Sequence, residues 1–227
     1  WVVAAPARAA IVLADPADAG LRHDGTISNG LLTGRVGAST TSPGEGGRAV
    51  VYVFQLPTPP LGLSPVTDAS LSFVVSLDRQ HPAYNIDLYA LPARSDPAVQ
   101  STDAFFGPLD PAATLIEDNI LPADTVQPPV SLITTDPAAN TSLVTWLNSQ
   151  YGVDGSGAGK YVFLRLNPDI DPPVENSGVD VVMAENAANV AAMTINFVPE
   201  PATAIAGACL LGLSTSFRRS RGRFRWR

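Results

Sequence analysis

In Ser70-Leu71-Ser72-Phe73-Val74-Val75-Ser76-Leu77, the apolar residues Leu71, Phe73, Val75 and Leu77 fall on every second position, and serine fills most of the others. Side chains alternate across a β-strand, so this period predicts a half-buried strand with one apolar face. The pattern recurs on both sides. Ile86, Leu88 and Ala90 alternate with Asn85, Asp87 and Tyr89, and Met193, Ile195 and Phe197 alternate with Thr194 and Asn196. Val50–Leu56 and Tyr161–Leu166 are apolar at nearly every position, as central strands are when both faces are covered. Leu31–Val36 and Val179–Met183 complete the set of expected strands.

The connections are rich in proline, as in Pro57-Thr58-Pro59-Pro60, Pro128-Pro129 and Pro172-Pro173, and the chain holds 21 prolines and 18 glycines. Such punctuation disfavours long helices. Many short strands with frequent turns predict an all-β fold, an antiparallel β-sandwich or jelly roll. One helix is expected over Thr141–Tyr151, where Leu143, Trp146, Leu147 and Tyr151 recur at helical spacing and Gly152 supplies the stop. It is expected to plug one end of the sandwich, with Trp146 in the core. Residues 92–135 have no clear period and read as a long insertion or loop.

The last thirty residues are of another kind. Pro199-Glu200-Pro201 precedes Ala202–Phe217, 16 residues without a charge, and Arg218, Arg219, Arg221, Arg223, Arg225 and Arg227 follow. A helix of that length reaches about 24 Å, short of the roughly 30 Å hydrocarbon core of a bilayer. The segment therefore predicts a short apolar C-terminal helix that anchors weakly. Its arginines lie on the cytoplasmic side and the rest of the chain outside.

The ordered triplet of motif, apolar segment and arginine cluster resembles the PEP-CTERM sorting signal of bacterial exosortase substrates. The resemblance implies a tail recognised in the inner membrane and cut near Pro199, Glu200 and Pro201. Arg218, Arg219, Arg221 and Arg223 would form the membrane-side basic cluster, and the body would be released or attached outside. A plain single-pass tail anchor is the competing reading. At the other end, Trp1-Val2-Val3-Ala4-Ala5-Pro6-Ala7-Arg8-Ala9-Ala10 carries small residues at the spacing of a signal-peptide cleavage site. The expected start of the protein lies upstream of Trp1, and the expected mature start is near Ala10 or Ile11. The domain reading is a leader remnant over 1–10, a β-sandwich over 11–197 and a sorting signal over 198–227.

Setting both ends aside leaves seven basic residues against 20 acids, a balance of −13 compared with −7 for the whole chain. A body of that charge repels phosphate backbones, which excludes nucleic acid as an expected partner. The single cysteine, Cys209, lies in the apolar tail, so the body has neither a disulfide nor a thiolate to use.

The body offers little recognisable reaction chemistry. Its two histidines, His23 and His81, sit in turn contexts beside Asp24-Gly25 and Pro82, and no serine lies in a nucleophile elbow. Gly155-Ser156-Gly157-Ala158-Gly159-Lys160 lacks the first glycine of a phosphate loop, and Tyr161 follows where Ser or Thr belongs. Metal-ligand motifs are missing as well. Asn167-Pro168-Asp169-Ile170-Asp171 alternates oxygen groups without calcium-loop spacing, which leaves a structural calcium as an option and no cofactor as the expectation. Acids for a glycosidase pair are plentiful, with Asp15, Asp18, Asp169, Asp171, Glu175, Asp180 and Glu185 reading as turn residues.

The order of segments also resembles the DNRLRE-type, carbohydrate-binding-module-like β-sandwiches. It runs from Gly34-Arg35-Val36-Gly37 through Gly47–Pro57, Val66–Leu71, Ile86–Tyr89 and Leu143–Leu147 to Tyr161–Leu166. That likeness implies a jelly roll with a non-catalytic, glycan-binding or matrix role. Tyr89, Tyr161 and Arg165 are the candidate glycan contacts. The leading expectation is an exported, non-catalytic protein with a structural or adhesive role at the cell surface or in the exopolysaccharide matrix. Its partners are exosortase and the inner membrane during sorting, and then exopolysaccharide. A glycan-binding module and a polysaccharide hydrolase or lyase are the alternatives.

Overall fold

A computed structural model describes residues 8–38, 46–59, 65–79, 82–105, 110–169 and 177–198. The sorting residues Pro199, Glu200 and Pro201, the apolar run and the arginine cluster lie outside the described residues, as do His81 and Asp171. Among the described residues no helix is long and apolar enough to cross a membrane.

The chain opens with β1 (Arg8–Leu13), β2 (Ala19–Arg22), β3 (Ile27–Asn29) and β4 (Thr33–Ala38). The long strands β5 (Gly47–Gln55), β6 (Val66–Arg79) and β7 (Ile86–Arg94) follow. A 3-10 turn at Ser101–Asp103 leads to β8 (Thr114–Leu121), β9 (Ser131–Thr134) and the helix α1 (Pro137–Tyr151). Three strands close the sequence: β10 (Tyr161–Pro168), β11 (Gly178–Val182) and β12 (Ala192–Phe197). All twelve strands join one sheet in the order β1-β12-β6-β11-β4-β5-β10-β7-β8, with β2 and β3 beside β5 and β9 beside β6. Every pairing is antiparallel. The all-β expectation holds in this form, one curled antiparallel sheet with one helix.

Curling brings β6, β11 and β12 over β5, β7 and β10, and the main core lies between them. Leu71, Phe73, Val75, Met193, Ile195 and Phe197 meet Val50, Tyr52, Phe54, Leu88, Val162 and Leu164 there. Tyr52 and Phe73 bridge the gap, their ring centres 6.1 Å apart. Alternation sends Ala49, Val51 and Val53 to the opposite face of β5, where they form a second cluster with Leu91, Val99 and Phe163. This is why β5 and β10 are apolar on both faces: each separates two cores.

The founding strand departs from its simple period at one place. Leu71, Phe73 and Val75 are buried, whereas Leu77 is 40% exposed. Opposite it, Asp180 faces Leu77 but Val181 faces Val75, so Ser76 is an extra residue in the ladder. Such a bulge shifts the alternation by one, which turns Leu77 off the core face.

Helix α1 starts earlier than its apolar spacing predicts. Asp136 caps it, its carboxylate accepting from Ala139 N at 2.7 Å, and Pro137 takes the first turn, where it has no amide to waste. Gly152, at φ 68°, ends it. Asn148 exchanges two hydrogen bonds with the backbone of Val66 at the start of β6. Gln150 accepts from Ala93 N near the end of β7, and the Tyr151 hydroxyl donates to Pro57 O beyond β5. The helix thus covers the end of the sheet where β5 and β7 stop and β6 begins, with Trp146 buried as expected.

One further stretch differs from expectation. Residues 92–135, read as aperiodic, hold β8, β9 and the 3-10 turn; positive-φ residues at Asn119, Asp124 and Val130 and register shifts along β7–β8 break any clean period. Arg8, Ala9 and Ala10, read as the end of a leader, stand opposite Phe197, Asn196 and Ile195 in β1–β12.

Candidate functional site

On the face of β7 and β10 away from the main core, Asp87, Tyr89, Arg165 and Asn167 occupy alternate positions that hydrophobic residues fill elsewhere. Register places Arg165 opposite Tyr89 and Asn167 opposite Asp87. The connection after β7 folds over them, carrying Asp103, Phe105 and Asp110.

Arg165 is the centre of this cluster and has no exposed surface. Its Nε donates to Asn167 Oδ1 at 2.9 Å, one terminal nitrogen to the Asp103 carbonyl at 2.6 Å and the other to Asp110 Oδ2 at 2.7 Å. The rings of Tyr89 and Phe105 lie 5.4 and 5.7 Å from the guanidinium carbon. Burial lowers the Arg165 pKa, and the Asp110 carboxylate opposes that fall. Asp103 serves two arginines: its carbonyl takes Arg165 and its carboxylate takes Arg94 in a bidentate pair at 2.9 and 2.8 Å. Arg94 also lies over the Phe163 ring at 3.7 Å.

Asp87 is nearly sealed, and burial pushes its pKa up to about 6, aided by the charges of Asp118 and Asp169 and opposed by the Asn119 amide. That amide donates to Asp87 Oδ1 at 2.9 Å, from a residue at φ 60°, a conformation asparagine tolerates. Burial likewise pushes the Tyr89 hydroxyl up to about 12, with Asp87 adding to the rise and Arg165 opposing it.

The candidate glycan contacts therefore separate. Tyr89 and Arg165 come together, but both are buried and face the covering connection rather than solvent. Tyr161 lies further along β10, half-buried against the second apolar cluster. Hydrophobic alternation places Tyr89 and Arg165 each on a face of its own strand; it reveals neither their pairing nor the segment that closes over them. Chemically the cluster is a clamp, two arginines fastening Asp103 and Asp110 to the sheet.

Of the acids considered for hydrolysis, Asp171 and Glu175 lie outside the described residues, and among the others Asp18 and Glu185 come together. Asp180 lies within β11 rather than in a turn, and Arg35 and Arg79 hold it at 3.1 and 2.7 Å. Asp169 accepts from Asn85 at 3.0 Å. Asp18 meets Glu185 at another edge of the sheet. His23 is exposed in the turn after β2. Among the described residues, no three His, Cys, Asp or Glu side chains converge as a metal site.

A surface feature with no sign in the local pattern lies between α1 and β8. It is a cleft of about 430 Å³ lined by Thr114, Leu115, Thr141, Ser142, Thr145, Trp146 and Ser149. The helix hydroxyls donate back to their own carbonyls, Thr141 to Pro137, Ser142 to Ala138, Thr145 to Thr141 and Ser149 to Trp146. With the proton so engaged, each hydroxyl keeps acceptor capacity. Without β8 in the reading, this wall of the cleft has no counterpart.

No protein-family model matches the chain, and comparison with curated proteins finds no match.

Proposed function

We propose that this chain is an exported, exosortase-sorted protein whose body, a jelly-roll-type passenger, acts without catalysis as a structural or adhesive component of the cell surface or exopolysaccharide matrix. The observation that carries the proposal is the ordered tail: Pro199-Glu200-Pro201, an uncharged run and a terminal arginine cluster. The end of the sheet supports it. The β12 ladder finishes at Phe197, Val198 N donates to Pro65 O, and the motif begins at the next residue of the sequence. Arg8 stands opposite Phe197, at the same end of the β1–β12 ladder. Consumption of Arg165, Asp103 and Asp110 in mutual contacts favours a scaffold over a reactive site.

The test is fractionation of the native host with and without Pro199–Pro201, joined to mass spectrometry of the mature ends. Loss of the C-terminal arginines from the exported protein, dependent on the motif, is the expected result. An intact C-terminus held in the inner membrane identifies a plain anchor instead. The N-terminal mass distinguishes a start near Ala10 from one that leaves all of β1 in place.

The α1–β8 cleft favours glycan binding as a second reading, since four hydroxyl side chains of α1 line it together with Trp146 and Leu115, a mixture that suits a sugar. Filling it with Thr145→Arg is expected to abolish retention on exopolysaccharide; equal retention of both proteins removes this reading.

A further inference from the structure

Asp18 ends the turn between β1 and β2 and has no exposed surface. The turn is fixed: Asp15 N donates to Val53 O at 2.8 Å, and Asp18 N donates to Asp15 O at 3.0 Å. Asp18 Oδ2 accepts from Ala184 N at 2.7 Å, just past the end of β11, where the Tyr52 hydroxyl donates to Val182 O at 3.0 Å. Glu185 follows, its carboxyl within hydrogen-bonding reach of Asp18. Asp18 Oδ1 and Glu185 Oε2 are both shut off from solvent, and neither meets a donor.

Two carboxyl groups in contact, each with an oxygen sealed away unpartnered, cannot both be ionised without something positive between them. Calcium takes about six to eight oxygens, and among the described residues no third acidic side chain converges on the pair. A proton needs only the two oxygens.

We propose that Asp18 and Glu185 share one proton and so form a latch tying the 14–18 turn to the connection between β11 and β12, a latch that loosens when the proton leaves. The titratable groups acting on Asp18 are Glu185 from that connection, Asp15 from its own turn and the Tyr52 hydroxyl from β5, all of them acids. Burial is the main cause that raises Asp18 to about 7, with Glu185 and Asp15 adding to it and the Ala184 amide opposing. A carboxyl that holds its proton more firmly when folded stabilises the fold fully below its ordinary pKa of about 4, and this contribution is lost as pH rises through about 7.

The test compares the full chain with Asp18→Asn, whose amide keeps an acceptor for Ala184 N, offers a donor to Glu185 and does not titrate. The melting temperature of the native chain is expected to fall relative to the variant between about pH 4 and pH 7. Exchange protection of the Ala184 amide, corrected for intrinsic rate, is expected to drop at least about tenfold over the same span in the native chain only. If Asp18→Asn does not fold, a carbon-detected titration of the native Asp18 carboxyl takes its place and is expected to show a midpoint near neutrality. Parallel melting curves for native chain and variant, or an Asp18 midpoint near 4, overturn the proposal. So does a native chain at alkaline pH whose melting temperature rises by several degrees with about 1 mM calcium and falls again with chelator, because a cation is then the occupant.

Discussion

Arg165 stands directly opposite Tyr89 across the β10–β7 pair, its guanidinium carbon 5.4 Å from the ring centre, and both side chains are shut off from solvent. Cross-strand neighbours on one face meet whatever their chemistry, so the register sets a cation against an aromatic ring at the centre of the covered face. The covering segment then supplies the counter-charge. Asp110 comes from 55 residues earlier in the chain and reaches Arg165 at 2.7 Å.

Arg165→Ala is expected to cost about 3–5 kcal/mol, because it leaves Asp110 buried without its partner. Urea denaturation measures the loss, and limited proteolysis is expected to cut within 94–113 before the sheet unfolds. Arg165→Lys is expected to rescue little, since an ammonium cannot reach Asn167, Asp103 and Asp110 with one planar fork. Wild-type stability in either variant would mean that the clamp carries no load.

Asp87 gives a pH dependence of known sign. Its folded carboxyl is raised to about 6, above its ordinary 3.8, so the folded chain binds the extra proton between those values. The stabilising contribution is full below about pH 4 and fades as pH rises through about 6. Against Asp87→Asn, whose side chain stays neutral, the native chain is expected to lose stability across that window and then run parallel above it. Calorimetry at closely spaced pH values reads the difference, and a constant offset from pH 4 to 8 contradicts it.

Gly37 and Gly178 face each other across β4–β11, and the Tyr84 hydroxyl fits beside them, accepting from Ala38 N at 2.9 Å and donating to Ser177 O at 2.8 Å. A Cβ on Gly37, at φ 126°, would run into that hydroxyl and the backbone of Ser177 and Gly178. Gly37→Ala is expected to cost about 1–3 kcal/mol through overpacking alone, with added backbone strain. A melting temperature equal to wild type shows that the close approach is dispensable.

Asp136→Ala removes the cap of α1 and is expected to cost about 1 kcal/mol, while Asp136→Asn keeps most of that stability. Because α1 joins the ends of β5, β6 and β7, hydrogen exchange is expected to quicken at Val66 and Ala93 as well as in the first helical turn. Quickening confined to residues 137–140 would mean that the helix end opens alone.

Much of the architecture can be read from local pattern, and the failures have physical causes. Val50–Leu56 and Tyr161–Leu166 announce central strands because burial on two faces removes every polar position. The start of α1 is written in Asp136-Pro137, a capping signal that the apolar spacing from Leu143 onward does not contain. Leu77 misleads because a bulge is a property of two strands, and Ser76 looks ordinary until Asp180 and Val181 are laid beside it. β8 escapes because Asn119 at positive φ and the shifts against β7 break its alternation.

The sequence by itself determined that this chain builds an all-β body with one helix, since side-chain period follows from backbone geometry alone. It also placed Asp87 and Tyr89 on one face of their strand, and Arg165 with Tyr161 and Phe163 on one face of another. Only the tertiary structure decided that Asp110 neutralises Arg165, that the Asp103 carbonyl holds the same guanidinium, and that Asp18 meets Glu185. Those contacts join residues 55, 62 and 166 or more positions apart, and no local rule specifies which distant segment will supply a buried charge with its partner.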